Sequence, residues 1–181
     1  MKKNKLLIFM PSIEDGGVEK NFFIISNYLS EKFKNVGVIS ISKKIRSKLK
    51  PKINLISLKN NYYDGIGRRK KFFICLLLLV REIILNRNIV VLCFQGNIYC
   101  TLLCKLFLVK VIIRANTSPS GWSQNLVKAF LYKLFYGMAD AIIVNSLEFK
   151  NELKKKFNLN SICIFNPLNK SEIIKNSKQE I

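Results

Sequence analysis

Lys5-Leu6-Leu7-Ile8-Phe9-Met10-Pro11-Ser12-Ile13-Glu14-Asp15-Gly16-Gly17-Val18-Glu19-Lys20 decides the fold. An apolar run ends at Pro11, a short polar loop carries two adjacent glycines, and an apolar stripe follows at Val18, Phe22, Ile25 and Leu29 with helical spacing. The pattern predicts strand, turn and helix. Where a parallel strand hands over to a helix, unpaired N–H groups and the positive end of the helix dipole face a crevice, and glycines let an anionic ligand approach the backbone. Gly16 and Gly17 therefore serve either as a simple turn or as a ligand-facing loop, and spacing alone leaves both readings open.

Outward from that stretch, short apolar runs recur at Lys5–Met10, Val36–Ser42, Ile53–Ser57, Ile89–Phe94, Lys110–Arg114, Ala141–Asn145 and Ser161–Phe165. Few alternate cleanly with polar residues, which suits parallel strands covered on both faces. Helical patterns lie between them, near Gly17–Phe33, Arg69–Asn86, Asn97–Leu108, Trp122–Gly137 and Ser146–Phe157. The last carries Ser146 as N-cap, Glu148 in the first turn, a stripe of Phe149, Leu153 and Phe157, and Lys154, Lys155 and Lys156 at the negative end of its dipole. The expected fold class is α/β: a doubly wound, Rossmann-like parallel sheet of about seven strands with Ile89–Phe94 central. Ligands of such sheets sit beyond the carboxyl ends of the strands, here Pro11–Gly17, Gln95–Asn97 and Arg114–Ser120. An arginine ending a buried strand, followed by Asn116 and a small polar loop, offers a cation and amide hydrogen bonds to a hydroxyl-rich or phosphorylated ligand; an ordinary surface loop is the alternative.

Composition bounds the function. The chain has 181 residues, 49% of them hydrophobic, enough for one domain with a real core, so disorder is excluded as a description of the whole. Its formal net charge of +20 suggests nucleic acid, an anionic membrane or phosphorylated substrates. Lysine, asparagine and isoleucine are abundant together, however, and genome composition is the preferred account of part of that charge. A nucleic-acid partner is not expected, since the aromatic residues fall in apolar segments rather than among basic ones. There is no histidine, which removes Ser-His and Cys-His nucleophiles, and no Gly-x-x-x-x-Gly-Lys run to cradle a triphosphate. Cys75, Cys93, Cys100, Cys104 and Cys163 lack metal-ligand spacing and read as small buried hydrophobes in a reducing cytoplasm. The first apolar run is too short for a signal peptide. Phe72 to Val80 is too short to span a bilayer. It reads either as a core helix buried on most sides, the preferred reading, or as a helix lying in a membrane surface with Arg68, Arg69, Lys70 and Lys71 on headgroups.

Taken in order, five fragments resemble the N-terminal, acceptor-side domain of the family 4 retaining glycosyltransferases of GT-B fold. They are Gly16-Gly17-Val18-Glu19-Lys20 with Asn27-Tyr28-Leu29, then Phe94-Gln95-Gly96-Asn97, Val111-Ile112-Ile113-Arg114-Ala115-Asn116, Ala139-Asp140-Ala141-Ile142-Ile143-Val144-Asn145-Ser146, and Phe165-Asn166-Pro167-Leu168. The resemblance implies transfer of a sugar from a nucleotide-sugar donor to a saccharide or lipid-linked acceptor in cell-surface glycan synthesis, without metal or other cofactor. Its implied substrate-binding residues are Gly16, Gly17, Gln95, Asn97, Arg114 and Asn116, with no catalytic residue assigned. In the family an Asn-Pro segment marks the crossing into a second domain that binds the nucleotide sugar. Here the crossing falls at Asn166-Pro167, so residues 1–168 are expected to form the domain and 169–181 a polar tail or the start of a linker. The expectation is that the donor domain is absent from this polypeptide, being either a separate C-terminal glycosyltransferase domain or lost to the fragment, and that the chain is inactive without it. The alternative is a non-catalytic acceptor- or membrane-binding module, or a gene remnant. The implied location is cytoplasmic, peripheral on the inner face of the plasma membrane, with Lys43, Lys44, Arg46, Lys48, Lys50, Lys52 and Arg68–Lys71 toward anionic headgroups.

Overall fold

The first apolar run forms β1 (Lys5–Phe9) and the glycine pair opens α1 (Gly17–Lys32), as the opening stretch predicts. The computed structural model describes residues 5–14, 16–42, 45–58, 66–117, 125–168 and 177. The elements after α1 are β2 (Val36–Ile39), α2 (Ile45–Lys48), β3 (Asn54–Ile56), α3 (Arg68–Leu85) and β4 (Ile89–Cys93). Next come α4 (Asn97–Leu106), β5 (Lys110–Arg114), α5 (Leu126–Gly137), β6 (Ala141–Val144), α6 (Leu147–Phe157) and β7 (Ile162–Cys163). All seven strands join one parallel sheet in the order β3-β2-β1-β4-β5-β6-β7. The order reverses direction between β1 and β4, and β4 is central, as expected. The fold is an α/β, Rossmann-like doubly wound sheet.

Alternation along the strands feeds two cores. Leu7 and Phe9 of β1, with Val91, Cys93, Val111 and Ile113, face the layer of α3, α4, α5 and α6. Leu6, Ile8 and Met10, with Val38, Leu92 and Phe94, face α1 and α2. This second layer is short. Ile112 and Ile143, on the α1 side of β5 and β6, are only partly buried.

Several boundaries differ from expectation for local reasons. The strand expected over Val36–Ser42 ends at Ile39, and the next amides turn across to Ile56 O and Pro11 O. Ile53 lies outside β3 because its amide closes a turn onto Lys50 O. The short α2 was not expected. α5 begins at Leu126, where the Asn125 side chain accepts a hydrogen bond from Val127 N; Ser118–Trp122, which the sequence reading placed in the ligand loop and the helix start, lie outside the described residues. So do Asp15, Lys43, Lys44 and the tail beyond residue 168 apart from Ser177. In α1 the buried stripe is rotated from the expected one: Phe22 is buried beside Glu19, Ser26 and Ser30, while Val18, Ile25 and Leu29 are only partly covered. Small serines let the helix approach the sheet closely. α6 follows its reading, with Ser146 Oγ accepting from Phe149 N at 3.1 Å and Phe149, Leu153 and Phe157 buried.

α3 corrects one expectation. It is not buried on most sides: Cys75, Leu78, Leu79 and Ile83 face the core, whereas Phe73, Leu77 and Ile84 are exposed. Lys5 Nζ reaches Glu82 Oε2 at 2.7 Å and ties α3 to β1. No helix among the described residues is long and apolar enough to cross a membrane. The five cysteines are free, four of them buried and Cys163 half-buried. Burial pushes the Cys75 thiol up to about 12, so it behaves as a hydrophobe.

Candidate functional site

A cavity of about 430 Å³ opens at the carboxyl ends of β1, β4 and β5, where a doubly wound sheet places its ligands. Three of the sequence-predicted site residues, Gln95, Asn97 and Asn116, line it. Their amides first lock the surrounding loops together. Gln95 Oε1 accepts from Ser12 N and Ser12 Oγ at 3.3 and 3.4 Å, fixing the loop after β1 to the end of β4. Asn116 Nδ2 donates to Phe94 O at 2.9 Å, joining the end of β5 to the end of β4. Asn97 Nδ2 donates to Arg114 O at 3.1 Å and to the Tyr136 hydroxyl at 3.3 Å. The platform is thus cross-linked before any ligand arrives.

Asn97 leaves one group unused. Its Oδ1 is buried and has no hydrogen-bond partner among the described residues, and Asn97 itself lines the cavity. An unpaired buried acceptor is unfavourable by about 1–3 kcal/mol. Around it stand Tyr99, Tyr132 and Tyr136, supplying apolar ring faces with polar tips. Burial raises the Tyr136 pKa, so this phenol stays protonated.

Gly96 holds the geometry. Its backbone is left-handed, φ 69°, and a Cβ added there would come within 2.0 Å of the Phe72 ring. Only glycine fits this turn without strain. The Phe72 ring packs edge-on against Phe9 and Tyr99, with centroids 5.9 and 5.6 Å away.

The glycine pair stands differently. Gly16 and Gly17 are exposed at the start of α1 and are not part of the cavity lining; their neighbours Glu14, Val18 and Glu19 are. The anion at this helix N-terminus belongs to the chain itself. Glu19, only 6% exposed, turns its carboxylate back to accept from Gly16 N at 2.9 Å and Glu14 N at 3.4 Å. This is a capping-box contact, and it places a carboxylate at the helix start where a phosphate would otherwise approach.

Arg114 also departs from the open crevice. It is 2% exposed, and Nη2 donates to Asn166 Oδ1 at 2.8 Å and Ile164 O at 3.3 Å, while Nε has no partner among the described residues. Burial lowers its pKa. The arginine therefore fixes the chain before Pro167, and two of the five sequence fragments are bonded through it. Another fragment is anchored at the opposite end of the sheet: Asp140 Oδ2 accepts from Val111 N at 2.7 Å and Lys105 Nζ at 2.6 Å.

The sequence reading missed Glu14, Glu19, Arg68 and the three tyrosines as cavity residues. Glu19 carried a usable signal, an acidic residue three positions after the helix N-cap. Tyr132 and Tyr136, four apart on a helix, share a face, but nothing in the sequence says that this face meets the β4 loop. Arg68 is the one cation among the described residues of the lining, and its Nη1 lies 3.3 Å from Glu14 Oε2.

No family model matches this chain, and no curated protein shows significant sequence similarity to it. Solved structures do match in shape. HepE of Anabaena in complex with UDP and glucose superposes with a TM-score of 0.61 at 14% identity, covering 97% of this chain and 50% of that one. Phytolacca americana UGT2, complexed with UDP-2-fluoroglucose and pterostilbene, gives a TM-score of 0.58 at 10% identity over 92% of this chain and 54% of that one. A UGT transferase from Siraitia grosvenorii in complex with UDP gives 0.56 at 12% identity, with 96% and 54% covered. The fold is glycosyltransferase-like. The chain spans about half the length of each of these proteins.

Proposed function

We propose that this domain is the acceptor-binding half of a family 4-like retaining glycosyltransferase. It would act in transfer of a sugar from a nucleotide-sugar donor to a saccharide or lipid-linked acceptor of the cell surface, with the donor held by a second Rossmann-like domain outside these 181 residues. The observation that carries this reading is the buried, unpartnered Asn97 Oδ1 in a cavity walled by tyrosines at the strand ends. A sugar hydroxyl is the donor this acceptor lacks, and the phenol rings suit the apolar face of a pyranose. The cavity's charges favour the same ligand class. Glu14 and Glu19 outnumber Arg68, in a protein of net charge +20, so a neutral hydroxylated ligand suits the lining better than a diphosphate.

In this reading Asn97 orients the acceptor, Gln95 and Asn116 keep the loops in register, and Arg114 holds the crossing toward the donor half. Gly16 and Gly17 flank the mouth of the cleft. The domain works in the cytoplasm, at the inner face of the plasma membrane where a lipid-linked acceptor is presented. Saccharide binding to the purified chain, followed by NMR line broadening, tests the reading. Asn97→Ala removes the Oδ1 acceptor together with the two Nδ2 bonds to Arg114 O and the Tyr136 hydroxyl and weakens binding at least about tenfold, with circular dichroism and the melting curve separating lost binding from lost structure. Turnover of a nucleotide sugar appears only when a donor domain is supplied. Unaltered saccharide affinity in the variant, or transfer by the 181-residue chain alone, contradicts it.

A further inference from the structure

Glu19 is a buried carboxylate with no cation beside it. It is 6% exposed and lines the cavity, yet no lysine or arginine among the described residues forms an ion pair with it. Its Oε2 and Oε1 each accept one backbone amide, at 2.9 and 3.4 Å, and a carboxylate offers about four lone-pair sites, so accepting capacity remains. The positive end of the α1 dipole offsets part of the charge. A buried carboxylate still calls for a cation. Glu14 stands next in the lining, joined to Glu19 through its own amide, and its cationic partner among the described residues is Arg68. The two side chains of that pair are 65% and 50% exposed, so the contact is weak and screened. The lining therefore keeps a negative corner in a protein of net charge +20.

The rest of the wall decides which cation fits. Among the described residues no three His, Cys, Asp or Glu side chains group as metal ligands, so the donor set for a metal ion is lacking. Tyr99, Tyr132 and Tyr136 stand in the same lining, the last two with ring centroids 5.3 Å apart. Aromatic faces attract an organic ammonium, and carboxylates accept its N–H groups in charge-assisted hydrogen bonds. Asn97 Oδ1, buried and without a partner among the described residues, is a further acceptor on a residue of this lining. The cavity, about 430 Å³, has the size of a small-ligand site. A hydroxyl or an acetamido group brings one donor and no charge. An ammonium brings three donors and the positive charge that Glu19 lacks. The carboxylates that disfavour a phosphate here favour an amine for the same reason.

We propose that the acceptor recognised in this cavity is an amino sugar with a protonated primary amine, its ammonium held by Glu19 and Glu14 and its ring laid against the tyrosines. The inference rests on the saccharide reading above and narrows it to one substrate class. NMR titration of the 181-residue chain with the methyl glycosides of glucosamine, N-acetylglucosamine and glucose tests it. While its amine is protonated, the glucosamine glycoside binds at least about tenfold more tightly than either neutral glycoside. That advantage disappears as pH is raised through the titration of the ligand's amine, with binding of the glucose glycoside unchanged. Glu19→Gln keeps the capping box, since glutamine also serves at that position, and Glu14→Gln/Glu19→Gln brings the three affinities within about threefold of one another. Glu148→Gln, on α6 and outside the cavity lining, leaves the advantage intact. Unchanged melting curves verify that the variants keep the fold. The net charge of +20 works against a cationic ligand at long range, so a preference for the ammonium reports the local carboxylates. Absence of binding by all three glycosides refutes the saccharide reading and this inference with it. Saccharide binding without preference for the amine, or with equal affinity for the N-acetyl glycoside, overturns this inference alone. So does a preference that survives Glu14→Gln/Glu19→Gln or is lost in Glu148→Gln.

Discussion

Gly96→Ala tests whether the cavity rests on one turn. The perturbation adds a single methyl group, but at φ 69° and 2.0 Å from Phe72 Cζ. Holding alanine in the left-handed region costs about 1–2 kcal/mol. The Phe72 ring must then move by more than an ångström, loosening edge contacts with Phe9 and Tyr99 that are worth about 0.5–1.5 kcal/mol each. Part of that loss relaxes because the ring is a side-chain end, which leaves a total of about 2–4 kcal/mol. For a chain of this size that lowers Tm by about 5–15 °C. Chemical and thermal denaturation measure it directly. A double variant, Gly96→Ala/Phe72→Leu, separates the two contributions, since the shorter side chain removes the clash but not the backbone strain. The double variant should fall short of additivity by about 1 kcal/mol or more. A Gly96→Ala protein within about 0.5 kcal/mol of the parent, or strict additivity in the double variant, would refute the reasoning.

Arg114→Lys replaces the guanidinium whose Nη2 donates to both Asn166 Oδ1 and Ile164 O with a shorter side chain and should destabilise by about 1–2 kcal/mol in urea, with the amide resonance of Asn166 shifted. Glu19→Ala uncovers the amides of Gly16 and Glu14; a loss of about 1–2 kcal/mol is expected, together with new, weak phosphate binding at the start of α1 seen by NMR titration. Burial alone would raise the Asp140 pKa, but the hydrogen bonds from Lys105 and Val111 hold it below its ordinary value of 3.8. The carboxylate thus contributes stability above that value that is lost as pH falls through the lower folded pKa, and Asp140→Asn should flatten the acid limb of the stability curve at a cost of about 0.5–1.5 kcal/mol at neutral pH.

The seven strands and five of the six helices among the described residues were legible because a buried parallel strand and a capped helix leave signals within a few residues of themselves. Ser146 caps α6 through an atom three residues away, and β4 is apolar throughout because both of its faces are covered. α2 was missed because it has four residues and less than two turns of periodicity. The outward stripes of α3 and α5 were hidden for a different reason. Periodicity finds an apolar side, but when apolar residues occupy both sides of a helix it cannot say which one meets the sheet. The candidate site was legible at Gln95, Asn97 and Asn116, each next to a strand end. It was not legible at Tyr132 and Tyr136, more than 30 residues beyond Asn97, because only the packing of α5 against α4 brings them to the cavity.

Gly16 and Gly17 carry the sharpest lesson about reading charge. A glycine pair at a helix start presents donors to an anion, and a chain of net charge +20 is full of cations for the same purpose. Yet the structure places a buried glutamate on the amides of Gly16 and Glu14, and a second glutamate beside Arg68, the one cation among the described residues of the lining. A phosphate brought here would lie beside the Glu19 carboxylate and next to Glu14, with only an arginine already paired to that residue for compensation. A hydroxyl meets neither penalty and satisfies the idle Asn97 Oδ1. Much of the positive charge lies outside the cavity, on exposed helices. The lining of the cavity therefore suits an uncharged hydroxylated ligand better than a phosphate, whatever the net charge of the chain.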